Sequence, residues 1–257
     1  MTSTPSADRS GVPGLELAWG TDIGRMRESN QDAVRALPDQ GLLIVSDGMG
    51  RSHAGGAASR LVIQQFPMML AAQLRAAEGS ELEDLTQALL YSVLQLNHRV
   101  REEGSSMDGV EPLGATIATA LLREDLALVA HMGDSRAYLY HHEHLSVLTR
   151  DHTAVNVLVR RGEIDPEEAE YHAMRGMLSR FVGMGGEGRP DIKTVDFLPG
   201  DLLLLCTDGL TDAIADGQIA QVLRAEHDLN GASRALIQAA LEAKARDNIT
   251  VLLARHT

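Results

Sequence analysis

Seven short apolar runs, at 15–21, 42–46, 115–122, 126–132, 137–140, 201–207 and 249–254, alternate with longer stretches of helical period and tie the chain to a fold centred on β-sheet. Only Arg123, Glu124 and Asp125 stand between the third run and the fourth, a hairpin spacing that favours antiparallel pairing over a parallel βαβ sheet. Helices are predicted at 56–77, interrupted or bent at Pro67, and at 81–103, 153–161, 166–172, 217–225 and 233–245. In the second of these, Leu85, Leu89, Val93, Leu96 and Val100 share one face, and Ser80 with Glu83 has the spacing of a capping box. No tandem repeat or internal linker divides the chain. Residues 15–257 are therefore expected to form one α+β domain, with antiparallel sheets covered on the outside by helices.

Charge removes one class of function. Lys plus Arg number 23 against 36 Asp plus Glu, and the net charge of −13 would repel a polyphosphate backbone, so nucleic acid is not an expected partner. Residues 1–14, MTSTPSADRSGVPG, are polar and rich in Ser, Pro and Gly, without the apolar centre of a signal peptide. They read as a disordered leader. With no spanning segment further on, the expectation is a cytoplasmic protein with no membrane partner. The single cysteine, Cys206, lies inside LLLLCTDG, where a thiol behaves as a small buried hydrophobe and no internal disulfide can form. Aromatic residues make up only 3%, so Leu, Val, Ile, Ala and Met must build the core.

Two of the apolar runs end alike: LLIVSDGMG sets Asp47 and Gly48 after a strand, and LLLLCTDGL does the same with Asp208 and Gly209. A carboxylate at a strand end can project into a cleft while the carbonyl of the following glycine stays open to a ligand. Asp134 in HMGDSRAY and Asp247 in ARDNITVLL occupy similar strand-edge settings. Four such acids suit a hard cation, Mg²⁺ or Mn²⁺, whereas zinc more often recruits His or Cys. Each element also has a plainer reading. Asp-Gly after a strand is commonly a turn, Asp134 with Arg136 could be a surface or cleft-edge ion pair, and Asp247-Asn248 could be a turn or cap. On spacing alone the chain has an acidic cleft, with metal binding open.

The ordered set TDIGRMRESNQDA, SDGMG, LGATIATALL, GDSRAYL, LTRDHTAVN, LLLLCTDGLTD and RDNITVLL resembles the bacterial form of the type 2C, metal-dependent serine/threonine protein phosphatases, over about residues 15–254. The order of seven motifs carries the likeness, not any one of them. The resemblance implies a four-layer αββα sandwich of two antiparallel sheets flanked by helices. It implies hydrolysis of phosphoserine and phosphothreonine esters on proteins, in opposition to Ser/Thr kinases, by water activated between two Mn²⁺ or Mg²⁺ ions about 3.5–4 Å apart.

Carried over by position, Asp47 resembles the carboxylate that bridges two metals, Gly48 the carbonyl donor, and Asp208 with Asp247 the rest of the first site. Asp32 resembles the second-site acid, often acting through water, and Asp134 with Asp208 a third, weaker position. Arg27 matches the phosphate-binding arginine, whose planar fork suits two phosphate oxygens. Arg27, Asp47 and Asp208 make up the expected catalytic set. The implied partners are phosphorylated proteins, among them a Ser/Thr kinase, and the chain is expected to act as a monomer.

The likeness is incomplete. Family members commonly read DGMGGH followed by GE, whereas this chain reads DGMGRSHAGG, with Arg51 for glycine, Ser52 for histidine and Gly56 for glutamate. His53 could serve as a displaced proton donor to the leaving oxygen, or as a loop residue without a role. Residues 151–184 resemble the variable flap beside the cleft, and Arg160, Arg161, Arg175 and Arg180 within it could meet phosphopeptide or merely solvate helices. Two rival functions use the same residues: a catalytically weak module that binds phosphoproteins, and a hydrolase of small phosphate esters. No cysteine-phosphatase loop follows Cys206, which excludes it as a nucleophile in practice.

Overall fold

The computed structural model describes residues 14–50, 54–77, 81–105, 113–186 and 188–257. Its first half runs β1 (Leu15–Asp22), β2 (Asp32–Leu37), β3 (Leu42–Met49), α1 (Ala54–Ala76), α2 (Leu82–Ser105), β4 (Gly114–Ala115), β5 (Ile117–Arg123) and β6 (Leu126–Met132). There follow β7 (Arg136–His141), β8 (His144–Val147), α3 (Ala154–Arg160), α4 (Pro166–Ala169), β9 (Asp191–Asp196), β10 (Leu202–Cys206), α5 (Asp208–Thr211), α6 (Asp216–Ala225), α7 (Leu229–Glu242) and β11 (Ile249–His256). One sheet has the order β1-β11-β10-β7-β8 and the other β2-β3-β5-β6-β9, with β4 on β3, and every pairing is antiparallel.

The continuous apolar runs follow from burial on both faces of these strands. Along β3, Leu43 and Val45 face the opposite sheet, where Leu203, Leu205, Leu252 and Ala254 meet them. Leu42 and Ile44 face outward, under α1 and α2, against Val62, Phe66, Leu89 and Val93. The other sheet repeats this plan, with Leu202, Leu204, Val251 and Leu253 under Ile219, Leu223 and Leu236 of α6 and α7. The result is the expected α+β sandwich of four layers.

Where element boundaries differ, local chemistry gives the reason. The strand expected at 115–122 breaks at Thr116, which leaves the ladder to bond Asp47 through its side chain. The helix expected at 233–245 begins at Leu229 because the Asp228 carboxylate caps it, accepting from Gly231 N–H at 2.7 Å. The helix expected at 166–172 stops at Ala169. Helix α1 is continuous through Pro67. Strands β2, β8 and β9 were not foreseen. The cap expected from Ser80, the leader residues 1–13, and Arg51, Ser52 and His53 lie outside the described residues. Among the described residues, no helix is long and apolar enough to cross a membrane.

Candidate metal centre

Asp32 and Asp47 are register partners on β2 and β3, so their side chains stand on the same face of the sheet. Asp208 opens α5 two residues after the end of β10, and Asp247 lies two residues before the start of β11. The facing sheets thereby bring to one end acids that lie far apart in sequence. Asp134, between β6 and β7, approaches from the same end and lines a cleft of 680 Å³ together with Asp208, Asp212, Asp151 and Arg175.

Electrostatics show how close these groups are. Burial is the main cause that raises the Asp47 carboxyl well above its ordinary range, and the charges of Asp32, Asp247 and Asp134 add to it. Asp208 is raised for the same first reason, with Asp47, Asp134 and Asp247 adding. Burial pushes Asp32 up to about 7 even though the Thr250 and Thr207 hydroxyls favour its charged form. Burial and then Asp151 push Asp134 up to about 7. Several buried like charges cannot all ionise without positive compensation.

Two oxygens carry that argument further. Asp32 Oδ1 and Asp208 Oδ1 are buried and, among the described residues, accept no hydrogen bond, an arrangement that costs free energy unless something else meets them. The Asp32 Oδ2 atom, by contrast, accepts from Thr207 Oγ1 at 2.8 Å and Thr250 Oγ1 at 2.7 Å. The Asp32 carboxylate is thus oriented with one oxygen still open. An all-oxygen donor set fits Mg²⁺ or Mn²⁺. Arg27, on the loop between β1 and β2, bonds Asp247 Oδ2 at 2.5 Å and is also held by the charges of Asp47 and Asp208.

The glycines beside Asp47 and Asp208 do not serve as turns. Gly48 lies inside β3 and Gly209 inside α5, and neither has a positive φ. A Cβ on Gly48 would fall 2.0 Å from Gly55 O, and one on Gly209 would fall 1.9 Å from Asn248 O. Each glycine lets two backbones cross where the acids converge. The surface-pair reading of Asp134 with Arg136 also gives way: Arg136 forks onto Asp151, at 2.9 and 2.7 Å. Of the flap arginines, Arg175 reaches Asp212 at 2.9 Å beside the cleft, Arg180 turns to Asp191 at 2.7 Å, Arg161 lies 3.7 Å from Glu163, and Arg160 is exposed.

Several residues inside the quoted motifs, to which the sequence assigns no direct role, support the site. The buried Asn248 amide accepts from Gln31 N–H at 2.8 Å and donates to Ile23 O and Ser29 O at 2.9 and 3.1 Å, clamping the loop that carries Arg27. Asn30 donates to Thr21 Oγ1 at 2.8 Å and accepts from Asp32 N–H at 3.0 Å. Thr116 Oγ1 accepts from Asp47 N–H at 2.8 Å and meets Ser135 Oγ at 2.6 Å. Polar side chains inside apolar runs, such as the threonines of CTDG and NITV, were the clue available.

A second cluster, His131, His152 and Asp191, brings ligand-type atoms within 4.8 Å of one another. Its hydrogen bonds oppose a cation there. Gly133 N–H donates to His152 Nδ1 at 3.2 Å, which leaves the ring proton on Nε2, the atom facing Asp191.

Comparison with known proteins identifies the family. The family model described as "Protein phosphatase 2C" matches residues 20–252. The "Serine/threonine phosphatase stp" of Listeria monocytogenes is 31% identical over 93% of this chain and 95% of its own length. The solved serine/threonine phosphatase of S. agalactiae superposes with a TM-score of 0.86 at 31% identity, covering 95% of this chain and all of that one. The catalytic domain of the phosphatase PstP, solved in complex with two manganese ions, superposes at 0.76 with 32% identity, over 94% of this chain and 97% of that one. The chain therefore belongs to the protein phosphatase 2C family, and it is a metal-dependent serine/threonine protein phosphatase.

Proposed function

We propose that Asp47 bridges a pair of Mn²⁺ or Mg²⁺ ions, that the Gly48 carbonyl, Asp208 and Asp247 complete the first site, and that Asp32 serves the second through water. Asp134 with Asp208 would hold a third ion. The observation that carries this is the pair of buried, unpartnered carboxylate oxygens on Asp32 and Asp208. When bound, such a pair supplies Lewis acidity and an activated water for in-line attack at phosphorus. Arg27 leaves Asp247 for the substrate phosphoryl group, where its fork bonds two oxygens and offsets their charge. Asn248 keeps the Arg27 loop in reach, and the Thr207 and Thr250 hydroxyls orient Asp32 so that its free oxygen faces the site.

In this reading residues 15–257 act as one catalytic domain of a monomeric, cytoplasmic enzyme. Its substrates are phosphoserine and phosphothreonine proteins, a Ser/Thr kinase among them. Convergence of all the acids counts against a module that only binds phosphoproteins. The test is hydrolysis of a phosphothreonine peptide with added Mn²⁺ by the wild type and Asp47→Asn. Changing a residue that only hydrogen-bonds a metal ligand already costs about 10–100-fold, so loss of the bridging ligand should cost more than about 100-fold with the fold intact. A folded Asp47→Asn protein with normal turnover refutes the bridging role.

A further inference from the structure

The role given to Asp134 as a third-site ligand raises the question of what aims its carboxylate, and the inference here rests on that role. Asp134 follows Gly133, whose φ of +114° no ordinary side chain adopts readily and whose Cβ position would lie 2.5 Å from the Thr116 side chain. His152 grips this glycine twice. The backbone N–H of His152 donates to Gly133 O at 2.9 Å, and Gly133 N–H donates to His152 Nδ1 at 3.2 Å. Side-chain and main-chain atoms of one residue thus replace a ladder pair at the point where β6 ends.

We propose that His152 is a positioning residue for Asp134: through Nδ1 it fixes the Met132–Gly133 peptide, and through its backbone N–H it holds the carbonyl of the next peptide, Gly133–Asp134, to the neck of the flap. Ser179 N–H donates to His152 O at 2.7 Å, and Thr153 bridges Leu178, so the excursion between them closes on the same residue. The ring is held for this task. It is buried, stacks on His131 with centroids 4.5 Å apart, and faces Asp191 Oδ2 with Nε2 at 3.2 Å, off the line of a good hydrogen bond. Asp191 in turn accepts from Arg180 at the far side of the neck, at 2.7 Å. Burial, reinforced by His131, pushes the imidazole down to about 4, which keeps Nδ1 free to accept near neutral pH.

Amide substitutions separate the two ring nitrogens. His152→Asn places an oxygen where Nδ1 stands, whereas His152→Gln reaches only the Nε2 position. Mn²⁺ titration of the full chain, followed by electron paramagnetic resonance of free Mn²⁺, resolves tight paired sites from weaker binding. Asp134→Asn should abolish the weak event. His152→Gln should weaken it about tenfold or more, His152→Asn should keep it, and Asp191→Asn, which leaves Nδ1 untouched, should also keep it. The tight event should be unchanged in all four variants.

Wild-type weak binding in His152→Gln, beside its loss in Asp134→Asn, overturns the proposal. So does a tenfold loss in Asp191→Asn or in His152→Asn, and these arms stand even if His152→Gln does not fold. Weak binding that survives Asp134→Asn is a different failure, that of Asp134 as a ligand.

Discussion

Without its cations the protein should become less stable as pH rises from 5 to 8, and Asp32→Asn should cancel part of that loss. A carboxyl whose pKa is raised by folding holds more protons folded than unfolded, so stability falls with increasing pH. For Asp32 the penalty begins above the ordinary 3.8 and is complete above about 7, where burial has pushed it. That displacement corresponds to about 4 kcal/mol once the group is ionised. Asp47 and Asp208 are raised in the same direction and deepen the loss.

Asparagine at position 32 keeps an oxygen to accept from Thr207 and Thr250 but carries no charge, so it should be more stable than wild type by up to about 4 kcal/mol at pH 8 in EDTA. In a protein of this size that is a rise in Tm of about 8–16 °C. At pH 5, about one unit above the ordinary 3.8, the gap should shrink to about 1–2 kcal/mol. Urea unfolding at both pH values in EDTA measures this, and the paired comparison removes the general repulsion of a chain with net charge −13. Excess Mn²⁺ at pH 8 should restore the wild type, because it binds the folded state alone. Wild-type stability that is flat or rises from pH 5 to 8 in EDTA, or an Asp32→Asn protein weaker than wild type at pH 8, would refute the reasoning.

Arg27→Lys should lower kcat/KM on a phosphopeptide by about 10–100-fold, since a point charge replaces a two-pronged donor, while calorimetry shows unchanged Mn²⁺ binding at the paired site. Asn248→Ala strands one N–H and two carbonyls and should cost about 2–3 kcal/mol in chemical denaturation. Gly209→Ala, with its Cβ 1.9 Å from Asn248 O, should cost about 3 kcal/mol or more. Gly217→Ala in α6, with open space around it, should instead gain about 0.5–1 kcal/mol, and a failure of the two glycines to differ would undo the close-approach argument.

Burial decided which strands were legible. Five of the six strands interior to the two sheet paths, β3, β5, β6, β10 and β11, lie under helices on one side and the opposite sheet on the other, so each carries a run of mainly apolar residues. The three strands that the sequence does not predict are all sheet edges: β2 and β9 on one sheet, β8 on the other. An edge strand is half wet, and charge on it blocks unwanted pairing. DAVRAL, HLSV and DIKTVD accordingly show no apolar run. The cost of missing β2 fell on the site, because Asp32 opens that strand. Its place opposite Asp47 is a matter of register, which the local sequence around Asp32 does not display.

The repeated Asp-Gly pairs were legible for a reason other than the one that drew attention to them. Turn chemistry gives Asp-Gly a positive φ and a place on the surface, and by that rule both pairs would be unremarkable. Here one glycine lies within a strand and the other opens a helix, each pressed against a crossing backbone that would collide with any Cβ. The pairing of residues is thus a packing consequence of convergence. To bring Asp47 and Asp208 to one point, β3 must pass under the start of α1 and α5 must pass against the approach to β11, and each crossing leaves room for hydrogen alone. Sequence could record the two glycines but not the segments they touch, Gly55 and Asn248, because these lie across the fold. Asn248 shows the linkage most directly, since its backbone excludes a side chain at position 209 while its amide clamps the loop bearing Arg27. Packing and the placement of Arg27 therefore meet in one residue beside Asp247.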